Sequence, residues 1–133
     1  GSSEFISQAR RLRKMLGGGM RQAGILAAAG IIAVTQMTER LAEDHRRAAK
    51  LAEGLGSIPG ISFEIGKPQT NMVFPFLTEE VSRPATEIAK ALAELGIKVG
   101  VVSPRSFRLV THYWISDEDV DAVIHAFRNV IAR

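Results

Sequence analysis

The 133-residue chain contains no cysteine. That excludes disulfide cross-links, thiolate metal sites and a cysteine nucleophile together, and makes a reducing, cytoplasmic setting the default expectation. Aromatic residues are scarce at 6%, which leaves little material for the stacking platforms of single-stranded nucleic-acid binders. Long hydrophobic runs are lacking as well. The longest uncharged apolar stretch, Ala23 to Val34, has 12 residues and includes two glycines, whereas a membrane-spanning helix needs about 20. No membrane span is expected, and no basic n-region followed by an apolar h-region suggests a signal peptide. The first residue is not Met, as expected of a fragment or a processed product. What remains is ordinary globular usage, 46% apolar and 23% charged, with room for one compact domain and without the bias of disordered or collagen-like chains.

The net charge of +3 is unevenly placed. Residues 1–60 hold 9 basic and 5 acidic side chains, residues 61–133 hold 8 and 9. Arg10, Arg11, Arg13, Lys14 and Arg21 account for the surplus. Such a cluster attracts phosphate, on nucleic acid or on a small cofactor. A solvated basic helix end accounts for it equally well.

Residues 5–16 read as a short helix stopped by Gly17-Gly18-Gly19, since three glycines cost too much backbone entropy to continue it. A long helix is expected next, from about Met20 to Leu55. Its second half carries an apolar stripe of Val34, Met37, Leu41, Ala48, Leu51 and Leu55, with Glu43 and Arg47 paired on the wet side. Its first half is apolar all round from Ala23 to Val34. A helix apolar on every side must be enclosed on every side, so the first third of the chain is expected to pack against another domain or another subunit.

The remainder alternates. Ile61–Ile65 and Asn71–Phe76 read as strands around Gly66-Lys67-Pro68. A helix follows from about Ser82 to Leu95, with Ser82 or Arg83 at its cap, Ile88, Leu92 and Leu95 on its buried stripe, and Gly96 as its stop. Ile97–Val102 and Phe107–Thr111 are two more strands around Ser103-Pro104-Arg105. Ser116 and Asp119 have capping-box spacing ahead of a last helix bearing Val120, Val123, Ile124, Phe127 and Ile131. The order is helix, long helix, then ββαββα: an α+β fold with a mainly antiparallel sheet covered by helices.

Little chemistry is visible in local motifs. His45 and His125 read as surface residues. His112, at a strand end near Arg108, is either a site neighbour or a capped strand end. No metal-ligand spacing and no Walker-type loop is present, because Gly17–Gly19 lead into Met20-Arg21. The segment from Lys14 to Arg21 supports two readings: glycine amides opened toward an anion ahead of a helix, or a tight turn where helices pack closely. Arg108 sits between Phe107 and Leu109-Val110. A charge there is expensive if buried and unpaired, and its planar fork suits a carboxylate. Simple strand alternation would instead turn it to water.

The run from Arg11 through Gly17-Gly18-Gly19-Met20-Arg21-Gln22 to Gly30 resembles the corresponding stretch of the low-specificity L-threonine aldolases. Glu43-Asp44-His45, Thr70-Asn71-Met72-Val73-Phe74 and Arg108-Leu109-Val110-Thr111-His112 follow in the same order, so the resemblance covers essentially the whole chain. It implies a pyridoxal-phosphate (PLP) enzyme of the aspartate-aminotransferase fold that cleaves threonine or allo-threonine to glycine and acetaldehyde, with the cofactor as electron sink. It also implies that Arg108 binds the substrate carboxylate. Lys14 and Arg21 are similar to basic residues that reach the cofactor pocket from a neighbouring subunit, in a cytoplasmic homodimer or homotetramer.

The family's Schiff-base lysine lies in a Ser-x-Lys-Gly context, which none of Lys14, Lys50, Lys67, Lys90 and Lys98 has. The resemblance therefore implies the C-terminal portion only. Residues 1–21 would be the tail of the large cofactor-binding domain, 22–56 the connecting helix and 57–133 the small domain. No catalytic residue is expected within the chain, which alone should be inactive, and neither a metal, nucleic acid nor a membrane is an expected partner. Two other readings stay open: the small domain of another PLP enzyme of this fold, either a β-eliminating lyase or an aminotransferase, and a stand-alone α+β binding module with a basic N-terminus.

Overall fold

The computed structural model describes residues 1–63 and 66–132. Glu64 and Ile65 of the expected strand Ile61–Ile65 lie outside the described residues. The chain divides into two compact units, Gly1–Glu39 and Arg40–Arg133.

The first unit holds helix α1 (Ser3–Met15) and helix α2 (Gly24–Gln36). Ser2 caps α1, its hydroxyl accepting the Phe5 N–H at 3.2 Å. Glu4 in the first turn and Arg13 and Lys14 in the last complement the helix dipole. No residue of either helix is buried. Ile25 is 84% exposed and Val34 71%, so the described residues do not provide the enclosure that an all-apolar helix requires. Among the described residues, no single helix is long and apolar enough to cross a membrane.

The single helix expected over 22–56 is instead two, α2 and α3 (Leu41–Gly56). The reason is local. The Thr35 hydroxyl donates to the Ile31 carbonyl at 2.7 Å, a back-bond that loosens a helix. The next main-chain bond, Met37 N–H to Ala33 O, is stretched to 3.3 Å, and the start of α3 has no side-chain cap. Of the expected stripe, Ala48, Leu51 and Leu55 are buried, joined by Ala52, while Val34 and Leu41 are exposed.

The second unit continues with β1 (Ile61–Ser62), β2 (Met72–Val73), β3 (Phe76–Leu77), α4 (Ala85–Glu94), β4 (Gly100–Ser103), β5 (Ser106–Val110) and α5 (Asp117–Ile131). The expected strand Asn71–Phe76 is split into β2 and β3 by Pro75, which has no N–H to give the ladder. The stretch still follows β5. Phe107 N–H donates to Pro75 O at 3.0 Å, Thr111 N–H to Asn71 O at 2.9 Å, and Leu77 N–H to Arg105 O at 2.7 Å. β5 is thus the central strand, with β4 along one edge, β2 and β3 along the other, and β1 beyond β3, all antiparallel.

Helices α3, α4 and α5 pack on one another and on the sheet. Between them lies the core, centred on Phe107 and Phe127, whose rings meet edge to face at 5.5 Å. Leu55, Leu77, Ile88, Leu92 and Val120 surround the pair. Each such side chain contributes about 1.5–3 kcal/mol by leaving water. Helix α4 starts at Ala85 rather than Ser82, because Pro84 disfavours helical geometry at the residue before it. Leu95 is exposed, not part of the stripe, as the chain leaves the helix through Gly96 in the left-handed region. The capping box of α5 is as expected: Asp119 N–H donates to Ser116 Oγ at 3.1 Å and Ser116 N–H to Asp119 Oδ2 at 2.9 Å.

Across the outer seam of α3 and α5, Arg46 donates two bonds to Asp117, at 2.8 and 2.7 Å, and Lys50 pairs with Asp121 at 2.7 Å. The bonds from Arg46 hold the Asp117 carboxyl down at about 2, below its ordinary 3.8. A depressed carboxyl pKa stabilises the fold above the unfolded value, and that stabilisation is lost as pH falls through the folded one. Thermal unfolding should therefore show Asp117→Asn less stable than the parent at neutral pH, with the gap closing between about pH 4 and pH 2.

Candidate functional site

Along β5 and into the next residue the side chains alternate: Phe107, Leu109 and Thr111 are buried, Arg108 and Val110 exposed. Alternation, not burial, decides the environment of Arg108. Of the two readings of Arg108, the exposed one given by strand alternation is the one met. The ion pairs among the described residues engage Arg40, Arg46, Arg47, Lys50 and Arg83, and Arg108 has no acidic partner among those residues. It borders a cleft of about 280 Å³ where the lead-in to β4 diverges from β5, together with Lys98, Gly100, His112, Ile97 and Ile115.

The end of β5 is pinned by groups that sequence reasoning missed. The buried Thr111 hydroxyl donates to the Asp44 carbonyl at 2.7 Å, and the Asn71 amide donates to Thr111 O at 2.8 Å. The Asp44 side chain, in a residue only 3% exposed, accepts two bonds from Arg40 at 2.9 and 2.8 Å. The Arg40 guanidinium in turn lies 4.9 Å from the centre of the Tyr113 ring, a cation–π distance. The hydrogen bonds to Asp44 raise the Arg40 pKa above its usual value. The i,i+4 spacing of Arg40 and Asp44 was the available signal. At the other end of β5, Arg105 donates to the carbonyls of Leu77 at 3.1 Å and Val81 at 2.7 Å, and to that of Thr78. The sequence marked Arg105 only as part of a turn.

His112 is exposed, and its Nδ1 accepts the Trp114 N–H at 3.3 Å, as a capped strand end requires. It shares the cleft with Arg108. His45 and His125 are exposed.

The glycine turn of the first unit favours one of its two readings. Gly17, at φ +79°, terminates α1. The Gly17, Gly18 and Gly19 amides donate to Lys14 O, Arg13 O and Gly17 O at 3.2, 2.8 and 2.9 Å. Two of these amides close the helix end and the third turns back on Gly17, so the three do not form an anion cradle. Lys14 and Arg21 are exposed in this unit, whereas Arg108 belongs to the second.

Residues 1–80 match the family model described as beta-eliminating lyase. The chain belongs to the beta-eliminating lyase family, and its fold is that of the fold-type I PLP enzymes. This replaces the stand-alone binding module as a reading. Within the family it is similar to low-specificity L-threonine aldolases, in their C-terminal part. It is 41% identical over 133 residues to the low specificity L-threonine aldolase of Escherichia coli (strain K12). It is 38% identical over 130 residues to the probable low-specificity L-threonine aldolase 2 of Arabidopsis thaliana. These alignments cover 100% and 98% of this chain but only 38% and 37% of those relatives. Among solved structures, the complex of the cystine C-S lyase C-DES with cysteine persulfide superposes with a TM-score of 0.65 at 21% identity, over 80% of this chain and 28% of that one. A K223A variant of C-DES, with glycine covalently linked to its PLP cofactor, matches equally well.

PLP asks for a lysine amine at its aldehyde, a partner for its ring nitrogen and donors around its phosphate. Among the described residues, Lys14, Lys67, Lys90 and Lys98 are exposed and Lys50 is engaged by Asp121. The buried carboxylate, Asp44, has both oxygens on Arg40, and the glycine amides are internally satisfied. These residues do not by themselves make a PLP site. What they do offer is a positioned, unpaired arginine on a rigid strand.

That rigidity is testable. Thr111→Val keeps the shape but removes the bond to Asp44 O, and should lower unfolding stability by about 1 kcal/mol in denaturant titrations, with Thr111→Ser closer to the parent.

Proposed function

We propose that the intact protein bearing this chain is a PLP-dependent aldehyde-lyase that cleaves L-threonine and L-allo-threonine to glycine and acetaldehyde, with Arg108 gripping the substrate carboxylate. The observation that carries this reading is an exposed Arg108 on the central strand, at the edge of a cleft and without an acidic partner among the described residues. Guanidinium and carboxylate match as two parallel charge-assisted bonds. End-to-end similarity to aldolases at 38–41% identity supports the choice of reaction.

In this reading the chain binds and orients substrate, while the lysine that carries the cofactor, the ring partners and the general base lie in the preceding part of the protein. Lys14 and Arg21 extend toward the cofactor pocket of a neighbouring subunit in a homodimer or homotetramer. The wholly exposed apolar surface of α2 is in keeping with burial against that further protein. A cysteine-free composition fits a cytoplasmic enzyme. A β-eliminating lyase is the second reading, supported by the family match and by the fold shared with a cystine lyase.

Two measurements test the proposal. Borohydride reduction of the isolated 133-residue chain with PLP should give no stoichiometric, fold-dependent pyridoxyl-lysine at a single site, because none of its lysines has an enclosed setting. In the full-length enzyme, Arg108→Ala should lower kcat/KM for threonine by about 30- to several-thousand-fold, the kinetic equivalent of losing a charge-assisted pair. PLP content should be nearly unchanged, and Arg108→Lys should recover only part of the loss. Intact threonine cleavage with lost PLP would assign Arg108 to the cofactor instead.

A further inference from the structure

Gly100 is the cross-strand partner of Arg108 in the β4–β5 pair. Its φ does not call for glycine, being outside the left-handed region that Gly17, Gly60, Gly66 and Gly96 occupy. Gly100 opens β4, where β-branched residues are the favoured occupants. Glycine in a strand is found at bulges, such as the register shift between Val101 and Ser103, and at close approaches by a ligand or another part of the chain.

Here the approaching group is Arg108 itself. A Cβ built on Gly100 would lie 3.3 Å from the Arg108 carbonyl oxygen, 3.7 Å from its Cβ and 3.9 Å from its Nε. Facing Cβ atoms in an ordinary antiparallel pair are about 4.5–5.5 Å apart. The Arg108 stem therefore runs low beside the neighbouring strand, in ordinary contact with the place of a Cβ at position 100, and a larger side chain there would take the space it crosses. Both residues border the same cleft, which Asp119 also lines, so the path of the stem bears on how the guanidinium is presented beside it.

We infer that Gly100 is a positioning residue for carboxylate binding: by having no side chain it lets Arg108 lie flat across β4, and so sets the height and tilt of the guanidinium fork. The inference rests on the reading of Arg108 as the carboxylate-binding residue. A side chain at position 100 lifts the fork off the sheet and spoils two-bond geometry, without touching the substrate or the core. Misplacement of a binding group by about 1 Å is enough to cost up to about 100-fold.

The test uses the full-length PLP-loaded enzyme and two competitive ligands, glycine and glycinamide, which differ in the carboxylate. The parent enzyme should bind glycine more tightly than glycinamide, and Arg108→Ala should abolish that preference. Gly100→Val should raise the glycine inhibition constant by about tenfold or more while leaving that of glycinamide unchanged. Adding Gly100→Val to Arg108→Ala should then cost nothing further. Gly100→Ala and Gly100→Ser carry the same comparison should the valine variant not fold. If Arg108→Ala keeps the preference for glycine, the carboxylate reading falls and this inference with it. If Arg108→Ala loses the preference while the Gly100 variants keep it, or if they weaken both ligands equally, the positioning role of Gly100 alone is overturned.

Discussion

Everything in the second unit hangs on the register of β5. Phe107 must meet Phe127 and Leu109 must face the helices for the core to close, and strand geometry then turns Arg108 the other way. A slip of one residue would bury the guanidinium and expose the phenyl ring. The register is fixed at both ends by hydrogen bonds rather than by the apolar pattern alone. Thr111 is tied to Asp44 and Asn71 at one end, and Arg105 is tied to three carbonyls at the other. The bond from Phe107 N–H to Pro75 O holds the middle.

The arginines divide by what they hold. Arg105 binds loop carbonyls, Arg83 donates to the Val130 carbonyl at 3.0 Å, and Arg40 and Arg46 each grip a carboxylate of the same unit. These cations spend their donors on the fold. Arg108 is on an equally well-fixed element and makes no such bond among the described residues. That contrast singles it out, because a rigid mount with a free fork is what recognition of a small anion requires.

Much of this was legible in the sequence because it depends on neighbours within a few positions. The Ser116–Asp119 capping box, the stop at Gly96 and the alternation around Phe107 are of that kind. The break between α2 and α3 was hidden because its cause, the Thr35 hydroxyl competing for a helix carbonyl, leaves no mark on apolar periodicity. The split of Asn71–Phe76 is written in Pro75, which has no N–H for the ladder. For Arg108 the apolar neighbours and the strand alternation pointed opposite ways, and alternation gives the observed exposure. Asp44 and Arg105 act on residues 67 and 24–28 positions away, and no local pattern announces such partners. The glycine triplet allowed two readings until its amides could be followed to their acceptors.

The irregularity in β4 has a bearing on assembly. Beyond its pairing with β5 this strand has no other partner among the described strands, and Val101 and Val102 are 40% and 59% exposed there. A flat, valine-bearing edge is a template onto which a second chain can add a strand. The pairing with β5, however, shifts register between Val101 and Ser103, and such a bulge bends and twists the strand that carries it. The edge is blunted where it is most apolar. Continuous sheets running from one molecule into the next are thereby discouraged.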